Sequence, residues 1–496
     1  MRTHSTSRPG LLPACTLLLV GALVLAGCGG SMLDPKYVRA HTAPGLSAPG
    51  STVPGDATSV GTAPGDPANT TGAGTASGAT GSTSTGSTGS TGVHPGSTVP
   101  GSSTGGSGTH AATGARPKAS CVGFKNQTGI TDDTITIANI SDITGPVPGI
   151  FTSAQQAVKA YFAYFNATSS LCGRKLSVLA LDSRTDSGGD QAAYATACTR
   201  AFAAVGSMSA FDSGGAGVAQ KCGLPDIRSQ AVSDARNACT TCFGAQATQL
   251  HVFQNAVPDY FVKHYHAATQ HAAMIYVNAA ASVDNAKNMM VVEKKRGIRF
   301  VYSSPFDVAE FNYSPYVQHM KDAGVRWVQF VGSADEAVRL QQAMQSASFK
   351  PEVFLLDPTA YDPMYVKSGG SAVDGSFVFI NFTPFAEAAS NPELRLYETW
   401  LQQVAPGASP SYFGVFAWSA ARLFVQEAVA LGGKLTRSSL VSRIRSVHHW
   451  TSNGLHAPED VGGKTNGSCW RFLRLEGGRW KAVGGTSYMC HGSTAG

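Results

Sequence analysis

Charge is scarce in this 496-residue chain: Lys, Arg, Asp and Glu together make up 14% of it, and the formal net charge is +6. The basic residues are scattered, with Lys294-Lys295-Arg296 as the only run. Nucleic-acid binding needs a clustered cationic face, so the triplet reads as the solvated side of a helix, and no nucleic-acid partner is expected. Long apolar runs are also missing beyond residues 15–26, so no later segment is expected to span a membrane. Catalytic signatures are incomplete. Gly206-Ser207-Met208-Ser209-Ala210 places Ser209 on a strand-to-helix turn but does not supply the G-x-S-x-G of a nucleophile elbow. Gly214-Gly215-Ala216-Gly217 falls short of G-x-G-x-x-G. His264, His266 and His271 cluster, but helical spacing puts His266 off the face of the other two, and no carboxylate or thiol completes a zinc site. No enzyme activity, metal or cofactor is expected.

The start of the chain is informative. Arg2 and Arg8 precede the apolar run, and Leu25-Ala26-Gly27-Cys28 closes it. That is the layout of a secretory signal, and a Cys directly after small residues resembles a bacterial lipobox. The resemblance implies cleavage after residue 27, acylation of Cys28 and anchoring on the outer face of the cell membrane. Residues 28–118 are then almost wholly Gly, Ser, Thr, Pro and Ala. Too few large apolar residues are present to offset the entropy of ordering the backbone. The segment reads as a flexible tether with an r.m.s. span of roughly 50 Å, either bare or O-glycosylated.

About 375 residues remain, more than one core usually serves, so two lobes are expected. Eight cysteines lie there, an even count that argues for disulfides in an oxidising compartment. The preferred pairs are Cys198 with Cys222, Cys239 with Cys242, and Cys469 with Cys490. The C-x-x-C at 239–242 reads as a local structural bridge, since no second C-x-x-C and no thioredoxin-like context accompany it.

Strands and helices alternate through 134–356: strands near 134–140, 176–181, 203–205 and from 224, then 272–278, 299–302, 327–331 and 352–356, separated by helical periods. Such alternation predicts right-handed βαβ units and parallel sheets. The runs are joined near 254–258. A long apolar helix is predicted at 412–431, and a hairpin at 469–475 and 479–483.

The order of several segments resembles the type I periplasmic binding proteins, in particular the branched-chain-amino-acid-type substrate-binding proteins of ABC importers. The residues that carry it are the run from Gly129 to Ile137, Thr144-Gly145-Pro146, Cys172-Gly173-Arg174-Lys175-Leu176, the acidic turn from Asp182 to Asp186, Val205-Gly206, Gly223-Leu224-Pro225 and Glu310-Phe311-Asn312-Tyr313. The resemblance implies an α/β fold of two Rossmann-like lobes with a ligand cleft between them. Residues 119–256 would form lobe 1, 257–378 lobe 2, 379–435 a return to lobe 1, and 436–496 the end of lobe 2. It also implies a monomer that captures a small molecule and presents it to an ABC permease. A sensor or stand-alone surface receptor of the same fold, or a wall-associated adhesion protein, are the alternatives.

Ligands of open parallel sheets bind at the carboxyl ends of the strands. Among the strand-end residues, Ser209, Ser229, Gln230, Asp357 and Tyr361 have groups suited to orienting a ligand. Two departures count against an α-amino acid. Where the resembling proteins carry consecutive Ser/Thr for a ligand carboxylate, this chain has Ala210-Phe211-Asp212-Ser213, and their Tyr-Gly pair is replaced by Ala279-Ala280-Ala281-Ser282. Asp212 is expected to repel an anion and Asp357 to favour a donor, so the expected ligand is neutral or carries a cationic group.

Overall fold

The computed structural model describes residues 120–249 and 251–496. The expected signal, Cys28 and the tether lie outside the described residues. Lobe 1 rests on five parallel strands, β1 (Thr134–Ser141), β2 (Lys175–Asp182), β3 (Ala203–Val205), β4 (Asp226–Ala231) and β5 (Cys242–Ala247), in the order β2-β1-β3-β4-β5. Along β1, Ile135 and Ile137 enter one apolar core while Ala138 and Ile140 enter another. Both faces are therefore covered, as a parallel sheet requires. Helices Thr152–Thr168 and Tyr412–Leu431 close the first face, and Ser187–Arg200 with Ser213–Lys221 the second.

The chain leaves through β6 (Val252–Gln254) and builds lobe 2 from β7 (Ala272–Val277), β8 (Phe300–Phe306), β9 (Trp327–Val331), β10 (Val353–Leu356) and β11 (Phe377–Ile380), all parallel. The hairpin β12 (Cys469–Glu476) and β13 (Arg479–Val483) adds antiparallel to β11, giving the path β13-β12-β11-β10-β9-β7-β8. β14 (Met489–Cys490) pairs with β12, and β15 (Ser493–Ala495) returns to pair with β6.

The helix Tyr412–Leu431 is apolar on nearly every face because it is buried on nearly every face. Ser411 caps it by accepting from the Gly414 N–H, and Trp418 packs edge-on against Tyr161 at 4.8 Å. Glu393 takes the Trp418 indole N–H at 2.7 Å and pairs with Arg422 at 2.9 Å.

Several features differ from expectation. β5, β11 and the short β6, β14 and β15 have no counterpart among the predicted strands. β5 (Cys-Phe-Gly-Ala-Gln-Ala) is buried throughout and so shows no alternation, and its Gly244 is needed because a Cβ there would lie 2.0 Å from the Gln246 carbonyl oxygen. β11 spans the boundary expected at 378/379 and belongs wholly to the lobe 2 sheet. The helix Arg437–Ile444, expected in lobe 2, is held on lobe 1: the Arg437 guanidinium donates to the carbonyls of Cys198, Ala201, Phe202 and Cys222. Four disulfides are present, Cys198–Cys222, Cys239–Cys242, Cys469–Cys490 and an additional one, Cys121–Cys172.

One group runs against the core around it. Glu293, on the helix Ala280–Lys295, is fully buried under lobe 2. Its polar neighbour is the Gln329 amide, but no bond of normal length and angle joins them. Burial pushes the carboxyl up to about 8.

Candidate ligand-binding cleft

The carboxyl ends of β4, β5, β7, β9 and β10 open into one cleft between the lobes, with about 1010 Å³ free of protein atoms and part of that continuous with solvent. Four helices begin at its wall. Phe151 precedes Thr152–Thr168, Ser282 lies in the first turn of Ala280–Lys295, Ser333 caps Ala334–Ser346, and Tyr412 and Phe413 open Tyr412–Leu431. First-turn N–H groups have no partner within their own helix, and they bring a partial positive charge to the wall.

The loops that carry these groups are fixed from below. Asp142, after β1, accepts from the Ser183 hydroxyl (2.6 Å), the Thr185 N–H (2.9 Å) and the Ala210 N–H (2.8 Å), so one buried carboxyl joins the ends of three strands. Behind β4, Arg236 bonds Asp226 at 2.8 Å and Asp190 at 3.0 Å, and Arg228 donates to the Tyr194 hydroxyl and to the Gln230 carbonyl. Burial pushes Asp190 up to about 6 against the pull of these two guanidiniums. The network holds the end of β4, where Gln230 sits.

At one end of the cleft four polar side chains meet. The Tyr412 hydroxyl donates to Gln246 Oε1 and stands beside the Gln230 amide and within the field of Asp357. Burial, then the charges of Asp357 and Glu459, push that phenol well above its ordinary range. Gln230 is only 7% exposed, and its Nε2 has no hydrogen-bond partner of normal geometry. Asp357 accepts from the Thr359 N–H at 3.0 Å, capping the turn Pro358–Ala360, and burial pushes its carboxyl up to about 7. A second acid, Glu336, accepts from the Ser333 N–H at 2.6 Å in a capping box, and burial raises its carboxyl as well. Gly332 leaves room for this box, since a Cβ there would lie 2.8 Å from Glu336 Oε2 and 2.9 Å from the Phe330 ring. The remaining wall is apolar, with Ile150, Phe151 and Met208 on lobe 1 and Met289, Val331 and Trp470 on lobe 2. Among the described residues that line the cleft there is no Lys, Arg or His.

Of the residues singled out from sequence, Gln230 and Asp357 line the cleft. The others are turned elsewhere. Ser209 is buried with an unpaired hydroxyl, Ser229 donates to the Phe413 carbonyl at 2.9 Å, and Tyr361 packs among Phe382, Phe385 and Trp480. Asp212, expected to face the ligand, is buried 3.9 Å from Arg228 Nε. Sequence reasoning missed Tyr412, Gln246 and Glu336. The capping pattern Ser333-Ala334-Asp335-Glu336 was a usable signal for Glu336; Tyr412 had none nearby, since its helix reaches the cleft by packing on β4 and β5. A Ser–His pair also exists, Ser419 Oγ to His456 Nε2 at 2.8 Å, but both are sealed inside and burial holds the imidazole down near 4. It is a core hydrogen bond.

Residues 134–479 match the Periplasmic binding protein family. The chain belongs to that family. Periplasmic binding proteins bind their ligands and do no chemistry on them, which agrees with a cleft of helix starts, amides and apolar walls. No curated protein matches the chain. Among solved structures it is similar to a fatty acid ABC transporter substrate-binding protein from Thermomonospora curvata (18% identity, TM-score 0.64, covering 74% of this chain and 95% of that one). It is also similar to a leucine binding protein from Thermotoga maritima (16%, 0.60, 70% and 97%). A third is a solute binding protein of an ABC transporter from R. palustris in complex with 4-hydroxybenzoate (16%, 0.60, 72% and 98%). At these identities the likeness is one of fold, the two-lobed α/β architecture expected from the sequence.

Proposed function

We propose that this periplasmic binding protein is an extracytoplasmic, lipid-anchored solute receptor of an ABC importer. It captures a small amphipathic molecule between its lobes and presents it to the permease. The observation that carries the reading is the cleft itself. It combines apolar walls with a small group of buried polar side chains at one end, one of them an amide whose Nε2 makes no hydrogen bond of normal geometry, as small-molecule sites do. The solved structures of similar fold that bind leucine, fatty acid or 4-hydroxybenzoate support a transport role. Four disulfides support an oxidising location, and Leu25-Ala26-Gly27-Cys28 supports the anchor. Lobes joined by strand crossovers close on a ligand by hinge motion and exclude water from it. The protein acts as a monomer in this reading.

The test is retention. Mature full-length protein is incubated with a metabolite extract, desalted and examined by native mass spectrometry. One small organic molecule per chain is expected, and cells without the chain should lose uptake of that molecule. A chain that retains nothing, or uptake unchanged by its loss, would overturn the proposal.

A further inference from the structure

The polar end of the cleft distinguishes between ligand head groups, and this inference rests on the solute-binding reading above. Gln230, more than nine-tenths buried at a wall of the cleft, holds its Nε2 donor beside the Tyr412 hydroxyl without a hydrogen bond of normal geometry. A buried donor without a good hydrogen bond is costly, so an occupant that brings an acceptor is favoured. Across the same end stands Asp357, one carboxyl oxygen of which is taken by the Thr359 N–H. Tyr412 ties the two together, since its hydroxyl neighbours both the Gln230 amide and Asp357 and spends its own proton on Gln246.

Three kinds of head group can be set against this arrangement. A carboxylate would accept from Gln230. It would also bring negative charge beside the carboxyl groups of Asp357 and Glu336, with only the partial positive charge of the helix starts, and no Lys, Arg or His among the described lining residues, to balance it. An ammonium would suit the carboxyl groups, but it has only donors and leaves the Gln230 N–H unpaired. A hydroxyl or a primary amide both accepts and donates, and so offers Gln230 an acceptor and Asp357 a donor. The apolar wall of Ile150, Phe151, Met208, Met289, Val331 and Trp470 takes the rest of the molecule.

We infer that the cleft selects an uncharged amphiphile whose head both donates and accepts hydrogen bonds, an alcohol or a primary amide on an apolar body, over the carboxylate and the amine of the same body. A site built to hydrogen-bond a group rejects the analogue that lacks it far more strongly than a hydrophobic pocket rejects a missing methylene.

The experiment titrates the mature full-length protein with four molecules of one chain length: octan-1-ol, octanamide, octanoate and octylamine. Binding is read by calorimetry at pH 7. Octanol and octanamide are expected to bind at least about tenfold more tightly than octanoate and octylamine. Gln230→Leu should narrow that ratio to about threefold or less by weakening the neutral pair. Tightest binding of octanoate or octylamine, or equal binding of all four, would overturn the inference and leave the solute-binding reading standing. Binding of none of the four, by a protein that retains a molecule from the metabolite extract, would likewise reject the head-group assignment alone. Retention of nothing from either source would reject both.

Discussion

Glu293→Gln is expected to stabilise this protein, and more so as pH rises. The buried carboxyl titrates near 8 in the folded chain against an ordinary value of 4.5. Its folded value is the higher one, so the folded state holds a proton that the unfolded state releases. The stability it allows is complete below pH 4.5 and is lost as pH rises through about 8. Each pH unit in that window costs about 1.4 kcal/mol, so the wild type forfeits about 3 kcal/mol at pH 7 relative to acid. Glutamine has nearly the same shape, carries no proton to lose and removes that term. Urea unfolding of both proteins at pH 5, 6, 7 and 8 is the assay. The stability difference should rise from under about 1 kcal/mol at pH 5 to about 4 kcal/mol at pH 8. A difference that does not change with pH, or a variant less stable than wild type at pH 8, would refute the reasoning.

Asp357→Ala, which loses the cap on Thr359, should be about 1 kcal/mol less stable than Asp357→Asn, which keeps it. Asp357→Asn, which keeps an acceptor there and removes a carboxyl that burial pushes up to about 7, should raise the melting temperature at pH 7 for the reason given for Glu293, while the affinity for the natural ligand falls by about tenfold or more. Thiol titration of the unfolded, non-reduced mature protein should find none of the eight cysteines of residues 120–496 free, since all are paired; two or more reactive thiols would contradict the pairing. Cys28→Ser should release the protein to the medium or leave its signal uncleaved, as fractionation and intact-mass measurement would show, and unchanged membrane retention would reject the anchor.

Much of the scaffold could be read from the chain because its physical causes are local. Helical periods separated by short β-branched runs, together with turns such as Gly223-Leu224-Pro225, give the βαβ order directly. β5 (Cys-Phe-Gly-Ala-Gln-Ala) was not legible because it has neither alternation nor a β-branched residue, whereas β11 (Phe-Val-Phe-Ile) is as apolar and as buried as β9 and β10, which were legible. The strand-end rule found Gln230 and Asp357, yet it says nothing about which face of the pleat a residue takes. Ser229 lies next to Gln230 and points instead to the Phe413 carbonyl. Tyr412 comes from a helix nearly 200 residues farther along and enters the cleft only because that helix packs on β4 and β5. Nothing within a few residues of it signals that contact.

That return has a consequence for how the protein is made. The apolar face of lobe 1 stays open until residues 412–444 arrive, and the lobe 2 sheet lacks β12 until residue 469 and beyond. Neither lobe is therefore a fragment that can mature while the rest is still being delivered. A chain cut anywhere between 250 and 410 would present Val158, Phe162 and Phe202 to water with no helix to cover them. Contacts spanning more than 200 residues carry a large loop-closure cost and form slowly. The chain thus passes through an interval in which both halves are incomplete and expose apolar surface until the last sixth of the sequence is in place.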